Sequence, residues 1–160
     1  MPHGEVSEII SAPGAEVFDL LHDYEHRLDW DTLLQAAYLT GGATEAGKGV
    51  TSVCVGRSSL GGLALETVYV SFDRPRVAAV KLVNSPWLFA TWAASIRHAD
   101  LGPAESRVTC TWHFTARPRL LRWLLEPIMS VVFRWETRKR LIALRDHFNK
   151  PPPHLSGFLR

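Results

Sequence analysis

The chain of 160 residues has few of the residues that form covalent or metal cross-links. It contains two cysteines, Cys54 and Cys110, and neither has a second Cys or a His beside it at metal-ligand spacing. This pattern excludes a disulfide framework and a zinc site of the usual spacing. Both cysteines fall within segments that have the pattern of strands, so we expect two small buried hydrophobic side chains. We expect no metal and no cofactor.

Long apolar runs and a secretory leader are also lacking. No segment approaches the roughly 18 uncharged apolar residues that suit a membrane-spanning helix. The first five residues have neither the basic start nor the apolar run of a signal peptide. We therefore expect a cytoplasmic protein with one domain over residues 1–150 and a loose tail over residues 151–160, which begins with three prolines.

The sequence carries no catalytic motif. It has no Ser-His-Asp order, no Gly-rich phosphate loop and no Cys-His constellation with supporting context. His22 and His26 stand four residues apart in a helix-like segment. A metal site needs a third convergent ligand, and the sequence indicates none, so we interpret both histidines as part of a solvated polar face.

The two ends of the chain carry opposite charge: the N-terminal part has few basic residues and the C-terminal part has few acidic ones. Residues 1–47 contain nine acidic residues and one basic residue, Arg27, whereas residues 117–145 contain eight basic residues and two acidic ones. We interpret the basic segment as a solvated helix face whose cations suit the C-terminal end of the helix dipole. No nucleic-acid partner is expected.

Turn residues divide most of the remaining chain into short strands. Short loops between consecutive strands favour antiparallel neighbours, so the pattern predicts a meander. In the last strand Val108, Cys110, Trp112 and Phe114 alternate with polar residues that include His113, which predicts one buried and one exposed face. The predicted strands cover residues 5–11, 35–40, 50–56, 63–72, 77–83, 88–98 and 106–115.

Helical patterns lie on both sides of these strands. Pro13, at a first helical position, begins a short helix, and residues 22–31 are expected to form a second small one. The apolar pattern over residues 118–148 predicts a long amphipathic helix of roughly 45 Å. Pro127 within it favours either a kink or the start of a new helix at that position. Spacings of three, four and seven favour one buried stripe, formed by Leu121, Leu124, Ile128, Val131, Trp135 and Ile142.

Several short motifs follow one another in this order of elements. They are Ile10-Ser11-Ala12-Pro13 leading to Val17-Phe18-Asp19-Leu20-Leu21, then Trp30, Gly47-Lys48-Gly49, Phe72-Asp73-Arg74-Pro75, and the segment from Arg119 to Pro127. With these motifs the chain resembles the helix-grip superfamily of START and Bet v 1-like domains, particularly the bacterial branch called polyketide cyclase/dehydrase and lipid transport. The similarity covers residues 5–149. It implies an α+β helix-grip fold, a curved antiparallel sheet of about seven strands with two short helices and a long C-terminal helix packed across it.

A strongly bent sheet wrapped around one helix leaves a cleft that side chains do not fill. Aromatic side chains offer such a cleft a large apolar area with few rotors to immobilise. Ordinary core packing is the alternative for each apolar candidate, and solvent exposure is the alternative for each polar one. The apolar candidates for ligand binding are Trp92, Ile96, Trp112, Phe114, Ile128, Val131 and Trp135.

Four polar residues complete the candidate site. His98 shares the phase of Trp92 along its strand and is placed to orient a ligand carbonyl near the cavity mouth. Arg57 and Glu66, on neighbouring strands, are candidates for a buried pair that holds a polar head group. Tyr69 is a further candidate, although apolar residues in both phases of residues 63–72 leave open which side of that strand faces the cavity.

Two functions of different classes follow from these patterns. The favoured one is a carrier that encloses a small hydrophobic molecule such as a lipid, an isoprenoid or a polyketide. The alternative is an enzyme of the cyclase or aromatase kind, in which polar groups in the same cavity move protons; an adaptor with a filled core is a third reading. Apolar residues off the main helix stripe leave a surface for peripheral membrane contact or a homodimer, namely Trp123, Phe133, Leu141, Leu144 and Phe148.

Overall fold

The computed structural model describes residues 2–58, 62–84 and 86–150, and the expected tail over residues 151–160 lies outside them. Seven strands form one antiparallel sheet with the order β1-β7-β6-β5-β4-β3-β2, curled into a half barrel. Neighbours in the chain from β2 to β7 are also neighbours in the sheet, which confirms the meander. The strands are β1 (His3–Ile10), β2 (Leu34–Leu39), β3 (Thr51–Gly56), β4 (Ala64–Asp73), β5 (Val77–Leu82), β6 (Phe89–Gly102) and β7 (Glu105–Ala116).

A short helix, α1 (Gly14–Leu21), follows β1. The second small helix that we expected over residues 22–31 is only a 3-10 turn at Arg27–Asp29. The side chain of Arg27 explains the tight turn, because its Nη1 donates a hydrogen bond to the carbonyl of Leu21 at 2.7 Å and its Nε to Asp31 at 2.9 Å. These bonds hold the chain close to the end of α1 instead of letting a new helix extend away from it.

The long helix, α2 (Arg122–Asn149), follows a 3-10 turn at Arg119–Leu121. It continues through Pro127, so the expectation of a fresh start there was wrong. Pro127 lies in the second turn, where its ring removes a single intrahelical hydrogen bond. Two side chains fix the start of the helix against the end of β7, because Arg122 Nε donates to the carbonyl of Ala116 at 3.0 Å and Glu126 Oε1 accepts from the Ala116 N–H at 3.1 Å.

The face that α2 turns toward the sheet is not the predicted apolar stripe. Val131 and Trp135 are 70% and 62% exposed, and Leu121, Leu124 and Ile128 are exposed as well. The buried residues of α2 are Met129, Leu141 and Leu144. Two polar contacts also join the helix to β1, Arg134 Nη1 to the carbonyl of Glu5 at 3.2 Å and Arg145 Nη1 to Glu8 Oε1 at 3.0 Å.

The core lies between the inner face of the sheet, α1 and α2. The alternation predicted for β7 is confirmed, since Val108, Cys110, Trp112 and Phe114 are all buried while His113 is exposed. Cys110 is buried as expected, but Cys54 is only half-buried. Fully burying a side chain the size of Leu or Phe stabilises a fold by about 1.5–3 kcal/mol, so this face of β7 is a main contributor. Within the described part of the chain, no helix combines the length and apolarity needed to cross a bilayer.

Candidate functional site

A cavity of about 160 Å³ lies between the inner face of the sheet and α2. Its volume is close to that of engineered apolar cavities, about 150 Å³, which bind benzene. One wall is polar and comes from the segment after α1, with His22, Tyr24 and Arg27. Most of the remaining wall comes from β4 to β7 and α2, namely Leu65, Thr67, Tyr69, Ala78, Val80, Trp92, Ala94, Ile96, Cys110, Trp112, Phe133, Thr137 and Arg140.

A second cavity of about 280 Å³ adjoins the first and is lined almost entirely by apolar side chains. Cys54, Leu65 and Phe133 line both, so these three side chains form the partition between them. Each cavity alone is smaller than the roughly 300–1,000 Å³ of an ordinary ligand pocket, whereas the two together reach that range. The other residues of the second cavity are Leu34, Gly56, Leu63, Leu88, Phe89, Ile128, Met129, Val132 and Glu136.

A chain of hydrogen bonds runs along the polar wall of the first cavity. His22 Nδ1 lies 2.8 Å from Tyr69 Oη, which lies 2.9 Å from Tyr24 Oη. Tyr24 Oη donates to Ser52 Oγ at 3.1 Å, and Ser52 Oγ lies 3.1 Å from Thr67 Oγ1. The chain therefore links α1 to two strands of the sheet through side chains alone.

The direction of this chain fixes the tautomer of His22. Because Tyr24 gives its hydroxyl hydrogen to Ser52, Tyr69 must donate to Tyr24, and His22 must donate its Nδ1–H to Tyr69. His22 Nε2 then carries a lone pair and has no partner although it is buried. Burial, followed by the charges of Arg27 and His98, lowers the pKa of His22 to about 3, so the ring is neutral near pH 7. Burial raises the pKa of both Tyr24 and Tyr69, so both phenols keep their protons.

A buried group of charges closes the same end of the cavity. Asp31 has no solvent exposure, and its Oδ2 lies 2.9 Å from Arg27 Nε and 3.1 Å from Arg140 Nε. Burial opposes ionisation of Asp31, yet the guanidinium groups of Arg140 and Arg27 hold its pKa below the ordinary value. The guanidinium of Arg27 also lies 5.1 Å from the ring centre of Trp30, which adds a cation–π contact. Two cations face one anion, so this group carries one unmatched positive charge at the cavity wall.

The structure brings several of the predicted site residues together. Trp92, Ile96, Trp112 and Tyr69 line the first cavity, and Ile128 lines the second. The open question about residues 63–72 is also answered, because Leu65, Thr67 and Tyr69 share the cavity face of β4. Their contact with a ligand stays a prediction.

Other predicted residues lie away from both cavities. Val131 and Trp135 are on the outer side of α2, so our expectation that they point toward the sheet was wrong. Phe114 is fully buried and packs on Phe133, with ring centres 5.4 Å apart, as an ordinary core residue. His98 lies under α1 with its ring 5.3 Å from that of Phe18, and burial lowers its pKa to about 4.

The proposed buried pair of Arg57 and Glu66 is not formed. Arg57 is exposed at the end of β3, and Glu66 points away from the cavity face that Leu65 and Thr67 share. No ion pair joins these two among the residues that the structure describes. Neither side chain lines either of the two cavities. Arg57 lies just after the end of β3, and strand alternation puts Glu66 on the opposite face of the sheet.

Sequence reasoning missed the whole polar wall. We interpreted His22 as solvated, but it is only 9% exposed and lines the cavity. Arg27 was noted only as the single base in an acidic segment, and Tyr24, Asp31 and Arg140 were not considered. The spacing of Arg27 and Asp31 at i and i+4 was a usable signal, since oppositely charged residues at that spacing pair readily. Nothing in the sequence indicated that Arg140 would reach the same carboxylate.

A separate group of metal-ligand type lies on the surface. Ligand atoms of Asp23, Glu25 and His26 lie within 4.8 Å of one another. His26 Nδ1 is 2.7 Å from Asp23 Oδ2, and this contact raises the pKa of His26. His22 lies apart from this group in the cavity wall, so the pair of His22 and His26 that the sequence suggested does not converge.

A family model matches nearly the whole chain, and several solved structures share its fold. The family described as polyketide cyclase / dehydrase and lipid transport matches residues 1–149. No curated protein matches the chain. The aromatase/cyclase Zhui from Streptomyces sp. R1128 is 15% identical, with a TM-score of 0.75 over 92% of this chain and 93% of that one. XoxI from Bacillus cereus is 17% identical, with a TM-score of 0.74 over 94% and 97%. A START superfamily protein from Mycobacterium smegmatis is 10% identical, with a TM-score of 0.62 over 85% and 95%. These structural likenesses establish the fold.

Proposed function

The chain belongs to the polyketide cyclase/dehydrase and lipid transport family, and we propose that it binds a small amphipathic molecule in the cleft between the sheet and α2. The observation that carries this proposal is the pair of adjoining cavities, about 160 and 280 Å³, with a polar wall at one end only. Such a cleft suits a molecule with an apolar body and one polar end.

The apolar body of the ligand would lie against the aromatic and aliphatic side chains. Trp92 and Trp112 face the first cavity from neighbouring strands, and Phe133 faces both cavities from α2. Rigid rings of this size remove a large apolar area from water at little entropic cost. A lipid, an isoprenoid or a polyketide-like molecule meets this requirement.

The polar end of the ligand would lie against Arg27 and Arg140. Asp31 neutralises only one of these two guanidinium groups, so a carboxylate or an enolate would supply the missing negative charge. An anion in a low-dielectric site is strongly stabilised by such a preorganised cation. We therefore expect an acidic ligand to bind more tightly than a neutral one of the same length.

A polyketide cyclase is the second candidate, and the lone pair on His22 Nε2 favours it. A buried, unprotonated ring nitrogen beside a cavity is a candidate general base, and the hydrogen bond from Nδ1 to Tyr69 orients the ring. However, a pKa of about 3 makes His22 a weak base near neutral pH. General bases act best when their pKa lies near the working pH, so we favour binding over catalysis.

Cavity filling tests the binding site. Ala94 lines the first cavity, and its neighbour Ala93 pairs with the exposed His113 on the other face of β6. Ala94→Phe is expected to weaken binding of dansyl-labelled undecanoic acid at least tenfold, whereas the matched control Ala93→Phe leaves it within twofold. Native mass spectrometry of the unaltered protein should also detect a co-purified apolar molecule.

The variants Ala94→Phe and Ala93→Phe distinguish binding in the cleft from binding elsewhere on the protein. Circular dichroism first establishes that both retain the folded spectrum, because overpacking a core costs about 1–3 kcal/mol. Equal binding by folded Ala94→Phe and Ala93→Phe would show that the cleft is not the site. If turnover of a polyketide substrate is found, His22→Gln and Tyr69→Phe should lower kcat while KM changes little.

A further inference from the structure

An apolar patch covers the exposed side of α2 and the turn before it. Leu120 is 86% exposed and Trp123 75%; a single exposed apolar side chain is ordinary, whereas a contiguous group of them is informative. The members lie close together in the chain, so the exposure is not scattered. We name as the α2 patch the residues Leu120, Leu121, Trp123, Leu124, Ile128, Val131, Val132 and Trp135.

Helix geometry places most of this patch on one face. From Leu124 to Trp135 the exposed apolar residues follow one another at spacings of four, three, one and three, which is one side of an α-helix. That stretch is roughly 17 Å long at 1.5 Å per residue. The opposite side carries Met129 and Phe133 and packs toward the sheet, so α2 is apolar on two sides.

Arginine side chains border the α2 patch, and the nearby acidic side chains that the structure describes do not pair with them. Arg117, Arg119 and Arg138 are exposed and make no ion pair within the part of the chain that the structure describes. The nearby acids are already engaged, Glu126 by the N–H of Ala116 and Glu136 by Lys139 at 3.4 Å. The border of the patch is therefore positively charged.

We propose that the α2 patch docks on an anionic lipid membrane, with Trp123 and Trp135 inserted at the level of the head groups. Tryptophan is favoured at that depth because its ring is apolar and its N–H is polar. Unpaired arginines beside an apolar face match the negative charge of acidic lipids. This proposal goes beyond ligand binding and does not depend on it.

A second copy of this chain fits the patch less well. In a two-fold symmetric dimer the same surface faces itself, so Arg119 and Arg138 would approach the arginines of the other copy. The patch has no free acid to pair with them, and like charges across an interface cost affinity. An anionic bilayer presents the complementary charge instead.

The second cavity opens beside the same surface. Ile128 and Val132 are both exposed members of the α2 patch and both line the 280 Å³ cavity. A bilayer held against the patch would thus lie at the wall of the larger apolar cavity. Docking there would let an apolar molecule pass between membrane and cleft without crossing water.

Vesicle flotation with the full chain tests this proposal. We expect binding to vesicles of phosphatidylcholine mixed with phosphatidylglycerol, and much weaker binding to phosphatidylcholine alone. Added salt should reduce it, because salt screens exposed charges. Trp123→Ala/Trp135→Ala is expected to lower the partition coefficient roughly tenfold, and each of Arg119→Glu and Arg138→Glu to lower it at least about fivefold.

Matched controls come from the outer face of the sheet. Tyr38 and Arg107 are exposed, and strand alternation puts both on the face of the sheet opposite the core and α2, so Tyr38→Ala and Arg107→Glu should bind vesicles within twofold of the unaltered protein. Loss of binding in these controls equal to that in the patch variants would overturn the proposal. So would a concentration-dependent dimer in sedimentation without vesicle binding, or equal binding to neutral vesicles. Retained binding of the dansyl fatty acid by the patch variants separates this result from that of the proposed function.

Discussion

Arg140 on α2 and the fully buried Asp31 before β2 form an ion pair, with 3.1 Å between Arg140 Nε and Asp31 Oδ2. The contact joins the C-terminal helix to the segment between α1 and the sheet, and Arg140 lines the first cavity. It therefore contributes both to the closure of the fold and to the charge of the proposed binding site.

Asp31→Asn is expected to destabilise the fold by about 3–5 kcal/mol, because removing one partner of a buried pair leaves uncompensated charge. Here two guanidinium groups, those of Arg27 and Arg140, would lose their common carboxylate. Urea unfolding followed by fluorescence measures the change in the free energy of unfolding. The exposed neighbour Asp29 gives the control, and Asp29→Asn should change that free energy by less than about 0.5 kcal/mol.

Acid is expected to destabilise the protein through its buried histidines. Burial lowers the pKa of His98 to about 4 and that of His22 to about 3, both from 6.5. The unfolded chain therefore takes up protons first, so stability is complete above about pH 6.5 and falls as the pH drops toward 4, by up to about 1.4 kcal/mol per pH unit for each group. Urea unfolding at a series of pH values measures this slope.

The variant His98→Phe isolates one of the two groups. Both ring nitrogens of His98 are buried without a partner, so a phenyl ring removes unsatisfied polar atoms as well as the titration. We expect a shallower pH slope and no loss of stability at pH 7. His113→Phe, on the exposed face of β7, should keep the original slope; an unchanged slope in His98→Phe would contradict the assignment.

Phe133→Ala is expected to join the two cavities, because Phe133 lines both. The variant should bind fatty acids with longer chains than the unaltered protein does, at a cost of about 3 kcal/mol in stability. A series of dansyl-labelled fatty acids of increasing length measures the change. Phe89 lines only the larger cavity, so Phe89→Ala should lose stability without the shift toward longer chains.

The start of α2 is expected to depend on Glu126. Its carboxylate accepts a hydrogen bond from the backbone N–H of Ala116, and hydrogen bonds to charged groups contribute about 1.5–3 kcal/mol. Glu126→Ala should therefore lower the free energy of unfolding by roughly 1–2 kcal/mol and speed hydrogen exchange at Ala116. Glu45→Ala, at an exposed loop position, is the control, and equal exchange at Ala116 in both variants would contradict the contact.

Much of the fold could be predicted from local pattern. The bounds of β7 and its inner face followed from strict alternation, since Val108, Trp112 and Phe114 had only one way to be buried together. Loop chemistry then fixed the meander, because short turns leave consecutive strands few partners other than each other. The family resemblance rested on the same local segments.

The site was predicted only in part, and the reason lies in how far apart its residues are in the chain. Trp92 and Trp112 were found because each belongs to a periodic strand. His22, Asp31 and Arg140 were missed because a polar residue is normally exposed. His22 and Asp31 are in fact buried, and Arg140 meets Asp31 only through a contact that spans more than a hundred residues of the chain.

By itself, the amino-acid order specified which segments become strands and helices, since periodicity and turn residues act over a few neighbouring positions. It did not specify which side of α2 meets the sheet, because Val131 and Trp135 on one side are as apolar as Leu141 and Leu144 on the other. The side that is buried carries Met129, Leu141 and Leu144, which pack in one core cluster with residues of β1, β6 and β7. Long-range packing thus buried one apolar side of α2 and left the other in solvent, which no local pattern distinguishes.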